Sequence, residues 1–283
     1  MTQRPGPFTA VADHVYVALV PFVFEGGPAE LTVGLVVGSE AALVVDCGAT
    51  PEQGRWLRDE IAAVTPLPLA AAVLTHWHYD HSFGLAGLGA PIAIAHESVG
   101  ERLLSPDACT DACRLDVDPT ELVRPNREVA VATSVDLGGG VRVEAVHLGR
   151  GHTEGDLVVV VPGSDVVFAG DLVESSGPPS YGPDSFAHEW PATLDGLIGL
   201  TTDTTMILPG HGGPLNREAI FEQRGRVAAV SGEISRLAGL AVRFEDTEAR
   251  GTWALPFAAV RDGLEAAFAQ ARAADPQRRL PLA

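Results

Sequence analysis

Three shortages in the sequence each exclude a class of protein. Only three of the 283 residues are cysteines, Cys47, Cys109 and Cys113, so a disulfide-rich scaffold and a paired-cysteine zinc ribbon are both excluded. No apolar stretch approaches the roughly 20 residues that cross a bilayer. The first seven residues hold no basic segment followed by an apolar run, so we expect no secretory signal, no membrane association and a cytoplasmic location with reduced thiols.

Basic residues are also scarce. There are 19 Lys and Arg residues against 37 Asp and Glu residues, which gives a formal net charge of −18. A chain this acidic repels a phosphate backbone, and we find no basic stripe, so we expect no nucleic acid partner. The hydrophobic fraction of 46% is ordinary for a globular protein, and the length allows one large α/β domain or two small ones.

The hydrophobic pattern predicts many strands joined by hairpins, together with several helices, which favours two sheets with helices packed outside them. The predicted strands are 14–20, 31–38, 41–45, 70–74, 91–95, 141–148, 157–161, 166–169 and 206–208. The predicted helices are 51–64, 81–88, 97–104, 190–200, 215–240 and 256–274. Segment 174–185 is rich in Gly, Pro and Ser, so it is either a loop over a site or a surface excursion.

Potential metal ligands are concentrated at the ends of predicted strands. Five of the nine histidines fall in three short stretches that follow such strands: His76, His78, His81, His152 and His211. A fourth strand ends at Asp171. Because neighbouring strands of a sheet bring distant loops to one edge, this conjunction predicts a metal site.

The spacing within the first stretch suits metal binding. In an extended chain, side chains two residues apart point the same way, so His76 and His78 can bind one ion with two imidazoles. Imidazole ligands suit zinc or iron. The same alternation puts Asp80 on the side of His78 and His81 on the other side, which predicts that the ligands separate into two sites.

Four motifs resemble those of the metallo-β-lactamase superfamily. They are His-x-His-x-Asp-His at 76–81, Gly-His-Thr at 151–153, Gly-Asp-Leu at 170–172 and Gly-His-Gly at 210–212, with an early strand that ends in Asp46-Cys-Gly48. The resemblance covers about residues 14–225. It implies an α/β fold, a four-layer αββα sandwich. No motif covers the last residues, and we expect a catalytic domain over 1–240 with a C-terminal helical extension over 241–283 packed on the same domain.

The resemblance also implies a ligand set for two Zn²⁺ ions, with iron or manganese as alternatives. The ligands would be His76, His78 and His152 for the first ion, Asp80, His81 and His211 for the second, and Asp171 as the bridge. Asp46 would orient a ligand histidine. A hydroxide between the ions would attack an ester, thioester, lactone or amide carbonyl of a small molecule, which would give Asp80 and Asp171 catalytic roles.

Differences between this chain and individual branches of the family make some of their functions less suitable. The diiron oxygen reducers resemble this chain but carry Glu at the position of His78, and true β-lactamases usually carry Cys or Ser at the position of Asp171. The glyoxalase II branch shares every ligand, but its basic residues after the bridging Asp are missing here. Lactonases place a Tyr soon after that Asp, whereas the nearest one here is Tyr181.

Two further side chains are candidate substrate contacts, with Tyr181 as a third. Arg150 stands where the family often has Pro, so it either meets an anionic substrate group or is a solvated side chain. His188 either reaches the site from the preceding loop or packs elsewhere.

Several functions stay open at this stage. A mononuclear iron persulfide dioxygenase on the same fold would use His76, His152 and Asp171 as its ligands, and β-lactamase-like activity is a second alternative. A binding module that keeps metal only for structure is a third. The sequence specifies neither the substrate nor an oligomeric state.

Overall fold

The computed structural model describes residues 3–24 and 27–274. Its strands are β1 Thr9–Ala12, β2 Val15–Phe24, β3 Gly27–Val37, β4 Ala42–Val45, β5 Leu69–Val73, β6 Ala93–His96, β7 Arg127–Val129, β8 Ala132–Asp136, β9 Arg142–His147, β10 Leu157–Val161, β11 Val166–Gly170 and β12 Met206–Pro209. They form a seven-stranded sheet in the order β1 to β7 and a five-stranded sheet in the order β12-β11-β10-β9-β8.

The helices lie on the outer faces of the two sheets. They are α1 Pro51–Val64, α2 Tyr79–Ser82, α3 Leu85–Leu88, α4 Val99–Arg102, α5 Pro106–Arg114, α6 Trp190–Gly199, α7 Arg217–Gly239, α8 Thr247–Arg250, α9 Phe257–Arg261 and α10 Leu264–Ala274. Short 3₁₀ turns cover Pro119–Glu121, Pro162–Ser164 and Phe244–Asp246.

The strand β4 shows how the alternation of side chains builds the layers. Ala42 and Val44 pack with α1 in the apolar cluster outside the seven-stranded sheet. Leu43 and Val45 point the other way, into the core between the two sheets. Because successive side chains of a strand face opposite sides, a strand that is apolar throughout is buried on both faces. The predicted αββα sandwich is thereby confirmed.

The parallel strands place their carboxyl ends at one edge of the sandwich. In the first sheet, β4 is parallel to β5. In the second sheet, β11 is parallel to β12, and β9 has the same direction as β11 because both are antiparallel to β10. The loops that follow these five strands therefore leave the fold at shared edges.

The C-terminal helices join the helical layer on the second sheet. Val260, Leu264 and Phe268 belong to the same apolar cluster as Val230 and Ile234 of α7. The predicted boundary at residue 240 falls just after α7, and the division into a domain and an extension stays a prediction. Among the residues that the structure describes, no helix combines the length and hydropathy needed to cross a membrane.

Some local predictions were wrong. The helix predicted over 81–88 is two single turns, α2 and α3, and the helix predicted over 97–104 is limited to α4. All three cysteines are free thiols, as expected, with Cys47 buried and Cys113 exposed. The helix predicted over 256–274 is divided into α9 and α10, and α10 ends at the limit of the described residues.

Candidate metal centre

The strand ends bring the predicted ligands to one place. His76 follows β5, His152 follows β9, Asp171 follows β11 and His211 follows β12. Backbone hydrogen bonds fasten these loops together: the Leu157 amide donates to the Thr75 carbonyl (2.7 Å) and the Gly210 amide to the Gly170 carbonyl (3.0 Å). The site therefore spans the edges of both sheets.

Three imidazoles converge on one point beside a carboxylate, and we call these four residues the first cluster. His78 Nδ1 lies 3.0 Å from His76 Nε2 and 2.9 Å from His152 Nε2. Asp171 Oδ2 lies 3.5 Å from His152 Nε2 and 3.9 Å from His76 Nε2. Nitrogens about 2.0–2.1 Å from a tetrahedral zinc ion are roughly 3.3 Å apart, which is close to this spacing.

Asp80, His81 and His211 form the second cluster. Asp80 Oδ2 lies 3.2 Å from His211 Nε2 and 3.5 Å from His81 Nε2. Asp171 faces this cluster too, with Oδ1 3.2 Å from His81 Nε2 and Oδ2 3.3 Å from His211 Nε2. Asp171 thus stands between the two clusters, in the position expected of a bridging ligand.

The outer nitrogens of two histidines settle which ring nitrogen faces inward. His152 Nδ1 is 3.2 Å from the Ser180 carbonyl oxygen, and His211 Nδ1 is 2.9 Å from the Glu30 carbonyl oxygen. A carbonyl oxygen only accepts hydrogen bonds, so both Nδ1 atoms carry the proton. Nε2 is therefore the nitrogen that each ring turns towards the clusters, and it can bind a metal once it carries no proton.

Asp46 and Thr75 likewise hold the proton of two more imidazoles, His76 and His81, on Nδ1. His81 Nδ1 donates to Asp46 Oδ2 at 2.8 Å. The Thr75 hydroxyl donates its one proton to the same oxygen at 2.9 Å. Its oxygen can therefore only accept from His76 Nδ1, which lies 3.1 Å away. The structure thus places Asp46, as predicted, where it orients a candidate ligand histidine.

A half-buried carboxylate that the sequence analysis missed contacts the fifth ring, that of His78. Asp184 Oδ2 accepts a hydrogen bond from Trp77 Nε1 (2.7 Å) and lies 3.2 Å from His78 Nε2. Asp184 lies in the Gly/Pro/Ser-rich segment, where no local pattern distinguishes it from a surface turn residue.

These donor atoms fit a bound cation. When the facing nitrogens of His76, His78 and His152 carry no proton, their lone pairs, 2.9 to 3.0 Å apart, repel each other unless a cation lies between them. Within the described part of the chain, His81 Nε2 and Asp171 Oδ1 are buried and make no hydrogen bond, although they lie 3.2 Å apart. Buried polar atoms without a hydrogen bond are costly unless a ligand binds them. Four nitrogen and oxygen donors in one cluster and three in the other suit zinc, iron or manganese.

The charges of the two clusters differ. Burial and the neighbouring imidazoles His81 and His78 hold the pKa of His76 well below its ordinary value, and burial with His78 lowers the pKa of His152 to about 4. Burial opposes protonation of His211 as well, but the charge of Asp171 outweighs it and raises its pKa to about 12. The first cluster therefore offers these two histidines as neutral ligands, whereas a metal must displace a proton from His211 in the second.

One inference from chain spacing was wrong. The run is extended only as far as His78, because Tyr79–Ser82 is the helical turn α2. The turn carries Asp80 away from His76 and His78 and groups it with His81 and His211. This is the grouping that the family resemblance implied.

Arg150 does not reach the clusters. Its guanidinium donates to the Glu189 carboxylate (Nε–Oε2 2.9 Å) and lies 4.4 Å from the centre of the Phe186 ring. With His96 and His147 it lines a separate cavity of about 620 Å³. Of the two alternatives for Arg150, the structure therefore favours a surface side chain, which is held by an ion pair and a ring contact.

The other two candidate substrate contacts lie in the helical layer. His188 Nδ1 is 3.1 Å from Ser231 Oγ on α7, and its Nε2 is 3.2 Å from the Ala267 carbonyl oxygen on α10. Tyr181 is buried with its ring 4.8 Å from that of Trp190. Of the two alternatives for His188, the structure shows the packed one, because both ring nitrogens are engaged between helices.

Comparison with known proteins agrees with this geometry. The sequence model of the metallo-beta-lactamase superfamily matches residues 27–211. A metallo-beta-lactamase type 2 from Bacillus sp. (strain 170) is 23% identical over 182 residues, which are 63% of this chain and 66% of that enzyme. The chain thus spans just under two thirds of the length of this relative.

Two further matches extend over more of the chain. An acyl-coenzyme A thioesterase from Bos taurus is 26% identical over 237 residues, 74% of this chain and 82% of that protein. The solved structure of a metallo-beta-lactamase from Pontibacter korlensis superposes with a TM-score of 0.66 at 20% identity, over 78% of this chain and 98% of that one. With two His/Asp clusters at the edge of an αββα sandwich, the chain belongs to the metallo-beta-lactamase superfamily, and these relatives are hydrolytic enzymes.

Proposed function

We propose that the chain is a dinuclear metal hydrolase, with zinc as the leading metal, that cleaves an ester, thioester, lactone or amide bond of a small molecule. The observation that carries the proposal is the position of Asp171. Its two oxygens lie 3.2 to 3.9 Å from four imidazole nitrogens that belong to both clusters. A mononuclear iron dioxygenase would need only three ligands and would leave the second cluster without a role.

Each cluster would hold one ion. His76, His78 and His152 would hold the first, Asp80, His81 and His211 the second, and Asp171 both. When bound, such ions lower the pKa of a water towards neutrality and polarise a carbonyl oxygen. The chain itself fixes the ring tautomers through Asp46, Thr75 and backbone carbonyls, so no reorganisation of these ligands is needed during the reaction.

Access to the clusters is from the side of His78 and His211. Their side chains are 22% and 14% exposed, against 1% for His76 and 0% for His81. Phe22 lies beside this opening, with its ring 5.5 Å from that of His211 and 6.0 Å from that of Tyr79. An apolar group of a substrate would contact these rings while its carbonyl faces the ions.

Thioesters come first among the substrates to test, because the Bos taurus relative named as an acyl-coenzyme A thioesterase covers 74% of the chain. Lactones, simple esters and β-lactams complete the panel. Metal-depleted protein should be inactive on the panel and should regain activity with zinc, or with iron or manganese.

The matched variants are His78→Ala and His14→Asn. His78 belongs to the first cluster, whereas His14 is exposed with a left-handed φ of 66° that Asn tolerates. We expect the first variant to lose bound metal and at least 100-fold in activity, and the second to retain both. Equal activity of depleted and loaded wild type would refute the proposal, and one iron per chain with oxygen consumption would replace it with the dioxygenase function.

A further inference from the structure

His78 differs from the other histidines of the clusters. His76, His152, His81 and His211 all face the clusters with Nε2, whereas His78 does so with Nδ1. The Nδ1 atom is the ring nitrogen nearer the backbone, so this ring needs its own restraint on the opposite side. That restraint is Asp184.

The carboxylate of Asp184 is positioned to select one tautomer of His78. Its Oδ2 receives the Trp77 indole N–H at 2.7 Å and lies 3.2 Å from His78 Nε2. An ionised carboxylate only accepts, so a proton of His78 lies on Nε2, and Nδ1 is the nitrogen that can bind a metal. The Asp184 side chain is 12% exposed, which limits its freedom to turn away.

The chain around Asp184 contacts the second imidazole of the same cluster. We call residues 180–186 the positioning segment. The Ser180 carbonyl accepts from His152 Nδ1, the Ser185 hydroxyl donates to the His152 carbonyl at 2.8 Å, and the Phe186 amide donates to the Gly151 carbonyl at 2.8 Å. One short segment thus orients two of the three histidines of the first cluster.

The C-terminal helices hold the positioning segment in turn. The Tyr181 amide donates to the Ala259 carbonyl of α9 at 3.1 Å, and Gln270 Nε2 of α10 donates to the Ser185 carbonyl at 3.2 Å. Between these helices, a methyl group on Gly263 would lie only 2.8 Å from Tyr181 Cβ. The contact is close enough that only glycine fits there.

The second cluster is oriented from elsewhere. His211 donates to the Glu30 carbonyl of β3, and His81 donates to Asp46 after β4. Both partners come from the seven-stranded sheet, on the opposite side of the sandwich from α9 and α10. A change in the positioning segment should therefore act on one metal site and spare the other.

We propose that Asp184 is a positioning residue that fixes the metal-binding tautomer of His78, and that α9 and α10 set the affinity of the first metal site through the positioning segment. This inference rests on the proposed function. It gives the C-terminal helices a role in metal binding that no ligand motif in them reveals.

The test compares Asp184→Asn with Asp195→Asn, which removes an exposed carboxylate paired with Arg224. Cobalt(II) binding to the full chain is followed by visible absorption and by competition with a chelator. For Asp184→Asn we expect one of two sites to weaken by about 10- to 100-fold, the usual effect of removing a partner of a ligand histidine. The other site of Asp184→Asn, and both sites of Asp195→Asn, should bind cobalt(II) with wild-type affinity.

A spectroscopic readout separates positioning from general damage to the fold. With ¹⁵N-labelled histidine, metal-loaded wild type should show a slowly exchanging N–H on His78 Nε2, and Asp184→Asn should lose that protection while the His211 signal persists. Two sites of wild-type affinity and a retained N–H in Asp184→Asn would overturn the inference while the proposed function stands. Absence of metal in the wild type would refute both.

The part played by the helices is tested by Gln270→Ala, with Glu265→Ala on the exposed face of the same helix as control. Loss of one neutral hydrogen bond to the segment should weaken the first site by roughly 2- to 10-fold. If Gln270→Ala binds both metals as tightly as the control, Asp184 acts without α10, and that part of the proposal is wrong.

Discussion

A single methyl group at Gly210 should break the metal centre without unfolding the protein. An alanine Cβ at this position would lie 2.0 Å from Asp171 Oδ1 and 2.8 Å from His81 Cε1. Gly210 does not have a left-handed φ, so the backbone accepts alanine and the collision falls on the candidate ligands alone.

The expected loss of metal affinity follows from how closely the added Cβ approaches Asp171. Real Cβ contacts stay beyond about 3.0 Å, so Asp171 Oδ1 must retreat by about 1 Å or more. Metal–carboxylate distances are defined to a few tenths of an ångström, and Asp171 serves both clusters. We expect Gly210→Ala to weaken metal binding at least roughly 100-fold, about 2.7 kcal/mol, since even the loss of a partner outside the ligand set costs 10- to 100-fold.

The control is Gly213→Ala in the same loop, where a Cβ meets nothing within 4 Å and φ is not left-handed. Metal content and chelator competition are measured on both variants, with circular dichroism to verify the fold. Gly213→Ala should bind metal as wild type does. Equal metal affinity in the two variants would show that Asp171 is not a ligand in the position described.

Two further predictions concern residues around the centre. Burial raises the pKa of the Asp156 carboxyl to about 7, so its protonated form stabilises the fold below about pH 4 and this stability is lost as the pH rises through 7. The free energy of unfolding of metal-depleted protein is measured with urea at pH 5 and at pH 8. Between these two values, Asp156→Asn should lose roughly 3 kcal/mol less unfolding free energy than wild type. Equal losses in the two proteins would contradict this prediction. Arg150→Ala should keep its metal and change the unfolding free energy by about 1 kcal/mol or less, because the side chain is 47% exposed and paired with Glu189. A drop in activity confined to anionic substrates would instead restore Arg150 as a substrate contact.

The loops that carry the candidate ligands could be predicted to come together because each of them follows a strand that local sequence indicates. His152, Asp171 and His211 each come within a few residues of an apolar strand, and parallel strands must end at one edge. The αββα architecture followed from the same runs once the motifs were compared with a known family. Short strands such as β7, with three residues, carry too little periodicity to be recognised.

The partners of the ligands could not be predicted, because they depend on tertiary contacts. Asp184 stands 106 residues from His78 along the chain, in a segment with no hydrophobic period. His188 looked available to the site only because Ser231 and Ala267, which engage its ring, are distant in sequence. Asp80 was grouped wrongly by spacing because the single helical turn after His78 has no signal of its own.

The most direct test of the central claim is the metal content of the purified chain. Elemental analysis after loading with zinc, and separately with iron, should find two ions per chain, one for each cluster that Asp171 joins. Asp171→Ala should lower the affinity of both. Retention of only one ion by the wild type, or loss of only one site in Asp171→Ala, would contradict the bridging role on which the account depends.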